Sequence, residues 1–471
     1  MTDDNQRDAT RRSVLKGASA VGTAGLVGLA GCTGGGGGEG GDGGSGGNGG
    51  SGGNGSEGTS GGDNASDSGG SGGGGGGSGE LELVHWWTAG GEQEALNALI
   101  EGFEEKYPDV AVNNNPAPGG AGSALDAVIK NRVLNENPPS SFQIWPGEAL
   151  RPYLDSDVLD DIGDSVWTSE MQDAYLQGPK DAAAPNDTFV AVPLNIHRLN
   201  NLFYNTSVME EAGVDPSSIS DPKALLDAMA TIEENTDAAG MAQQTQSPWS
   251  TVQLWETVFI GEQDTETFKS MVESGDASAN EDAIKSALTT VKDYKEYFNQ
   301  DAGSISWDQA NSKVINGEAA MIHQGDWAAG QYRAQDGFEY EQDWNMVAYP
   351  GTEGVYSIVM DSFVMPSNNP SPEATKKWLQ YAGSVEGQQK FNPIKGSIPP
   401  RTDVPTDPFG PFLQSQIEEF KNSDTQPPTI AHGTAVPPEV KTSIEEAFSG
   451  FIENWNVDRA YSGIADAISG N

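Results

Sequence analysis

The chain has 471 residues and a formal net charge of -44, with 69 acidic residues against 25 basic ones. Acidic residues are spread along the chain rather than gathered in a tail, which excludes the basic patch that nucleic acid or an anionic membrane surface would require. Such a surface suits concentrated salt, where self-repulsion is screened within about 3 Å at 1 M.

At the N-terminus, Thr10-Arg11-Arg12-Ser13-Val14-Leu15-Lys16 reads as a twin-arginine export motif. Residues 17–29 form a short apolar stretch that is too short for a permanent membrane span, which needs roughly 20 residues. Leu29-Ala30-Gly31-Cys32 then ends it like a lipobox, and Cys32 is the only cysteine. Residues 1–31 are therefore expected to be an export signal and Cys32 the site of lipid attachment, leaving neither a disulfide nor a free thiol. Residues 32–79 are almost entirely Gly, Ser, Asn, Asp and Glu. They cannot bury apolar area and are expected to form a disordered tether with a reach of roughly 40 Å. Asn54, Asn64, Asn186 and Asn205 each begin a glycosylation sequon.

The folded part is expected over residues 80–471, which is long enough for two domains. Leu81–Trp87 reads as a strand, Glu92–Tyr107 as a helix with Leu96, Leu99, Ile100 and Phe103 at helical spacing, and Val110–Asn113 as a second strand. A helix over Leu125–Leu134 and a strand over Phe142–Trp145 follow. Strand alternating with helix predicts an α/β class with a parallel sheet, in which ligands bind beyond the carboxyl ends of the strands. Trp86, Trp87 and Trp145 stand at such ends. Further along, Phe189–Asn195 is strand-like, as are Ala319–Ile322, Trp344–Tyr349 and Val355–Met365. Helices are expected over Lys223–Glu234, Ala283–Phe298, Trp307–Asn316, Ala374–Ala382 and Val440–Trp455. There is no internal repeat, calcium loop, phosphate loop, zinc spacing or Gly-x-Ser-x-Gly elbow, so neither a metal nor a cofactor is expected.

Several segments occur in an order and spacing that resemble the extracellular solute-binding proteins of ABC importers, in their carbohydrate-binding, glucose/mannose type. These are His85-Trp86-Trp87-Thr88-Ala89-Gly90-Gly91-Glu92, Gly119-Gly120-Ala121-Gly122, residues 138–147 through Gln143-Ile144-Trp145, Val192–Arg198, Gly325-Asp326-Trp327, Asp361-Ser362-Phe363, Phe391–Ile398 through Lys395, and Ala431-His432-Gly433. Together with the export motif and acidity, the chain resembles haloarchaeal surface lipoproteins. The resemblance implies a two-lobed type II periplasmic-binding-protein fold of the maltose-binding-protein kind, with a hinge and an interlobe cleft. The lobes would be discontinuous: one of about 80–193 plus 358–400, the other of about 194–357 plus 401–471.

A sugar ring has flat apolar C–H faces that pack on indoles. Its rim of hydroxyls needs carboxylates, amides and cations, since each buried hydroxyl left unpaired costs ~1–3 kcal/mol. The resemblance assigns Trp86, Trp87, Glu92, Gln143 and Trp145 to one side of the cleft. Trp307 and Trp327 would stack from the other, and Asp361, Lys395 and His432 would hold hydroxyls. Lys395 is expected in a loop fixed by Pro393 and Gly396. Trp145 replaces a hydrogen-bonding histidine of the family pattern. Trp249 is read as a packing residue in a loop, and His197 and His323 as structural.

The implied function is capture of a monosaccharide, glucose first, with mannose or galactose as alternatives, and its delivery to membrane permease subunits. The chain would be a monomer on the extracellular face of the membrane, held there by its lipid anchor. An alternative from a different class is a secreted glycoside hydrolase, which would need two carboxylates about 5–9 Å apart across the scissile bond; Glu92 and Asp361 would be that pair.

Overall fold

The computed structural model describes residues 79–117 and 122–470. The export signal, the tether, Cys32, the sequons at Asn54 and Asn64, and Gly119-Gly120-Ala121 lie outside the described residues.

Two sheets organise the chain into the expected two-lobed α/β fold. The first contains β1 (Glu80–His85), β2 (Ala111–Pro116), β3 (Ser141–Ile144), β4 (Ala191–Pro193) and β11 (Ser362–Val364), in the order β2-β1-β3-β11-β4. β1 runs parallel to β2 and β3, whereas β11 returns antiparallel between β3 and β4. Pro193 is accommodated because β4 is an edge strand, where a missing N–H breaks no ladder bond. The second sheet contains β6 (Asn201–Asn205), β7 (Ala239–Ala242), β8 (Ala319–Gln324) and β9 (Trp344–Ala348), in the order β7-β8-β6-β9. Between the two lies a short antiparallel ribbon of β5 (His197–Arg198) and β10 (Ile358–Val359). Each of its strands sits where the chain passes from one sheet to the other.

The first sheet has its own core, with Leu81, Leu83, Phe142, Val192 and Phe363 against Leu96, Leu99, Phe103 and Trp378. The second is covered on its two faces by separate clusters, one around Trp255, Phe259, Tyr294 and Phe448, the other around Phe203, Tyr332, Trp344 and Phe412. A smaller cluster of Trp145, Leu199, Trp249, Trp327 and Val359, with Trp86 and Trp307 beside it, gathers residues that follow strands of the sheets, open helices or lie at the ribbon.

Most periodic helices fall where expected, for example Glu92–Lys106, Pro222–Asn235 and Pro438–Asn454. Two differences bear on function. Trp249 is not in a loop; it opens the helix Trp249–Glu262, whose residues are buried without interruption as far as Ile260. A helix buried all round shows no apolar stripe, so periodicity cannot reveal it. Lys395 is likewise not in a loop but is the last residue of the helix Val385–Lys395, which contains Pro393 and ends in Gly396 at φ 85°. Gly396 is required twice. Its conformation is left-handed, and a Cβ there would lie 2.8 Å from the Asp326 carbonyl oxygen. Two of the sequons are described. Asn205 is buried as the cap of the helix Thr206–Ala212, its Nδ2 donating to the Val314 carbonyl at 2.9 Å, whereas Asn186 is exposed.

Candidate functional site: the interlobe cleft

A cavity of about 240 Å³ opens between the sheets. Eight of the ten residues assigned from sequence line it: Trp86, Glu92, Trp145, Trp307, Trp327, Asp361, Lys395 and His432. The strand ends explain the first side. β1 and β3 are parallel neighbours, so the residues that follow them, Trp86 and Trp145, emerge together with ring centroids 5.2 Å apart.

Trp87 and Gln143, expected among the contacts, do not line the cavity. Trp87, just past the end of β1, turns away from the cleft into the core and is fully buried, 5.9 Å from Phe363 and 5.1 Å from Phe391 between centroids. Gln143 is also fully buried, and both ends of its amide are used. Its Oε1 accepts from the Trp86 backbone N–H at 3.1 Å, and its Nε2 donates to Asp361 Oδ1 at 3.0 Å. It therefore joins the first indole of the cleft to the carboxylate at its base.

The opposite wall is richer than the sequence reading. Trp249 lines the cleft from the start of its buried helix, and Gln244, Gln246 and Ser247 line it from the segment just before. Ser306 and Asp308 flank Trp307 at the start of the helix Trp307–Ile315. His432 lies among the rings, 5.2 Å from Trp145, 5.9 Å from Trp249 and 5.6 Å from Trp327. His197, read as structural, also lines the cleft. His323 is structural: it is buried with Nε2 3.1 Å from Thr257 Oγ1.

Polar groups at the base are tied to one another. Lys395 Nζ donates to Glu92 Oε1 at 2.6 Å, and the ammonium stands 5.6 Å from the Trp87 ring centre and 5.9 Å from that of Trp327. Burial pushes the Glu92 carboxyl up from its ordinary value, and Lys395 pulls it part of the way back. Asp361 accepts from Gln143 on Oδ1 and from Asn195 Nδ2 on Oδ2 at 2.9 Å. Although burial opposes its charge, His197, Lys395 and Asn195 outweigh it and hold the carboxyl down at about 2. Burial, with Lys441 adding to it, lowers the His432 imidazole to about 3, so at neutral pH His432 is a neutral ring.

The loop carrying His432 rests on Glu256, a buried carboxyl of the helix Trp249–Glu262. Glu256 Oε2 accepts from the Ile430 N–H at 2.7 Å and the Ala431 N–H at 3.4 Å. Its Oε1 has no partner among the described residues. Burial outweighs those two bonds and raises this carboxyl to about 8. The folded state therefore holds a proton that the unfolded chain releases near its ordinary value. Stability is unaffected below about pH 4 and declines as pH rises through about 8. Glu256→Gln keeps the acceptor for Ile430 and removes the titration. Its melting temperature in high salt should match the wild type near pH 5 and exceed it by several degrees at pH 9. Parallel melting curves at the two pH values would refute this.

Indoles from both sides of the cleft surround a base of tied carboxylates, amides and one ammonium, which has the chemistry to take a neutral, hydroxyl-rich ring. Fold and site together define the class: a two-lobed solute receptor. The family model described as bacterial extracellular solute-binding protein matches residues 98–417. The chain is 41% identical over 393 residues, covering 83% of its length and 84% of the relative's, to a xylose/arabinose-binding protein, XacG, of Haloferax volcanii. It is 37% identical over 390 residues, 83% of its length and 87% of the relative's, to an uncharacterized ABC transporter extracellular-binding protein of Pyrococcus horikoshii. Among solved structures it is similar to the bacterial solute receptor AcbH, described as preferring β-D-galactopyranose. The TM-score is 0.69 at 14% identity, over 84% of this chain and 98% of that one. The chain belongs to the extracellular solute-binding protein family, in the group whose named members bind sugars. Its relatives are binding proteins and not enzymes, which removes the hydrolase alternative.

Proposed function

We propose that this chain captures a single aldose between its lobes and delivers it to the permease of an ABC importer. The observation that carries the reading is the set of indoles contributed from both sides of one small cleft, Trp86 and Trp145 against Trp249 and Trp327, over the hydrogen-bonding base of Glu92, Asp361 and Lys395. Flat indoles fit the C–H faces of a pyranose, and the base offers acceptors and a cation to its hydroxyls. Glucose is the ligand proposed from sequence, with mannose or galactose beside it. The Haloferax relative's name adds xylose and arabinose, which differ from hexoses by lacking the exocyclic CH₂OH.

Closure is proposed to be a rotation about the β5–β10 ribbon. The lobes would be about 80–193 plus 358–400 and about 194–357 plus 401–471; the strand membership of the two sheets supports this division. Export by the twin-arginine route, a lipid on Cys32, and a monomeric receptor held on the extracellular face within reach of its permease complete the proposal, supported by the N-terminal motifs alone.

The test is titration of the folded domain in high salt with glucose, mannose, galactose, xylose, arabinose and maltose, following tryptophan fluorescence. One monosaccharide should change the emission with 1:1 stoichiometry and be recovered unaltered. Silence toward all six, or a response to maltose alone, would sink the proposal.

A further inference from the structure

His197 occupies an unusual place for a histidine. It lies in the two-residue strand β5 of the connecting ribbon and is buried, and each of its ring nitrogens faces a carboxylate from a different sheet. Nδ1 is hydrogen-bonded to Asp326, which follows β8 of the second sheet and also accepts the Arg198 N–H at 3.0 Å. Nε2 is 3.6 Å from Oδ2 of Asp361, which precedes β11 of the first sheet.

Asn195 stands beside that second contact, and its orientation is fixed. Its Oδ1 accepts from the Asp361 backbone N–H at 2.7 Å, so its Nδ2 must be the group that faces Asp361 Oδ2 at 2.9 Å and His197 Nε2 at 3.0 Å. A neutral ring with its hydrogen on Nδ1 donates to Asp326 and accepts from Asn195, satisfying every group. A second proton, on Nε2, cannot face the Asn195 N–H and must turn to Asp361. We propose that His197 is the positioning residue of the cleft, and that its proton decides whether Asp361 Oδ2 is held back toward the ribbon or left free to accept a ligand hydroxyl.

The surroundings make this exchange accessible. Burial opposes the imidazolium, but Asp326 outweighs it, with help from the Asp361 contact, so the ring holds its second proton to higher pH than an ordinary histidine. The other charged or titratable groups that act on it are Lys395, Glu92 and His432, and the Trp327 ring stands edge-on at 5.2 Å. Loss of the second proton should leave the Asp361 carboxylate, ionised in both states and still accepting from Asn195, with capacity on Oδ2 to accept a ligand hydroxyl.

The inference rests on the sugar-receptor reading for its affinity measurement but has a second measurement that does not. In the wild type, affinity for the responding monosaccharide should rise by about tenfold as pH is raised through the His197 titration. His197→Gln, which cannot titrate, should bind with a flat profile across the same range. A flat wild-type profile, or the same slope in His197→Gln, overturns the proposal. Without any sugar, imidazole ¹⁵N shifts of the full chain, which has four histidines, should show one ring passing from doubly protonated to the Nδ1–H tautomer, and its signals should be missing from His197→Gln. A neutral His197 protonated on Nε2 overturns the proposal whatever the ligand proves to be.

Discussion

Replacement of Trp327 by alanine should weaken monosaccharide binding by roughly a hundredfold and remove most of the ligand-induced fluorescence change. Trp327 is 93% buried, and its neighbours in the cleft are His197, Trp249 and His432. It opens the helix Trp327–Arg333 two residues after Gly325, where a Cβ would come within 2.2 Å of its ring, so the indole is packed into one position over the preceding turn. A pre-positioned aromatic of this kind is a binding hot spot whose truncation costs about 2–4 kcal/mol. Even the lower figure is a factor of about 30 in Kd. Trp327→Phe keeps a flat apolar face and should lose less than tenfold. Isothermal titration of both variants in high salt decides the matter; alanine binding as tightly as tryptophan would remove Trp327 from the site.

Asp361→Asn should do comparable damage for a different reason, and should show it in stability as well. The carboxylate accepts from Gln143 and Asn195. An amide in its place sets a donor against one of those donors, leaving buried groups unsatisfied at ~1–3 kcal/mol each. Binding should fall by at least a hundredfold, since the base of the cleft loses its charge and the alignment of Trp86 through Gln143. The pH dependence has a definite sign. The Asp361 carboxyl is held at about 2, below its ordinary value, so its contribution is complete above about pH 4 and is lost as pH falls through about 2. That contribution is about 2 kcal/mol. Denaturation in urea at pH 5 and pH 2.5 should show the gap between wild type and variant narrowing at the lower pH; a constant gap would mean that the carboxylate is not stabilised in this way.

These two residues were both legible in the sequence, and the contrast with those that were not is physical. Trp86 and Trp145 could be placed because strand ends in a parallel sheet are ligand-facing by topology. Trp327, Asp361, Lys395 and His432 came from the family resemblance, not from any local pattern. Alternation along the expected strand Leu81–Trp87 has Trp86 and Trp87 facing opposite ways but does not say which of them meets the core. That depends on Phe363 and Phe391, which arrive from much later in the chain. Gln143 has the composition of a contact residue, yet its two partners in the fold consume its amide.

Trp249 and His197 were missed for the same kind of reason. A helix buried on every side has no polar face against which a period could be seen, so Trp249 resembled loop packing. His197 sits in a two-residue strand that exists only because β10 pairs with it. Its partners Asp326 and Asp361 are brought to either side by the two sheets.

The sequence by itself determined the α/β class, the order of most strands and helices, the acidic surface, the family and most of the cleft residues. All of these depend on composition, on local periodicity, or on motifs whose spacing survives along the chain. Only the tertiary structure decided which indole of a pair faces the cleft, which polar groups are already engaged, and that His197 lies between two carboxylates. Those outcomes depend on contacts between segments far apart in the chain, where burial and hydrogen-bond satisfaction act on groups that no local pattern links.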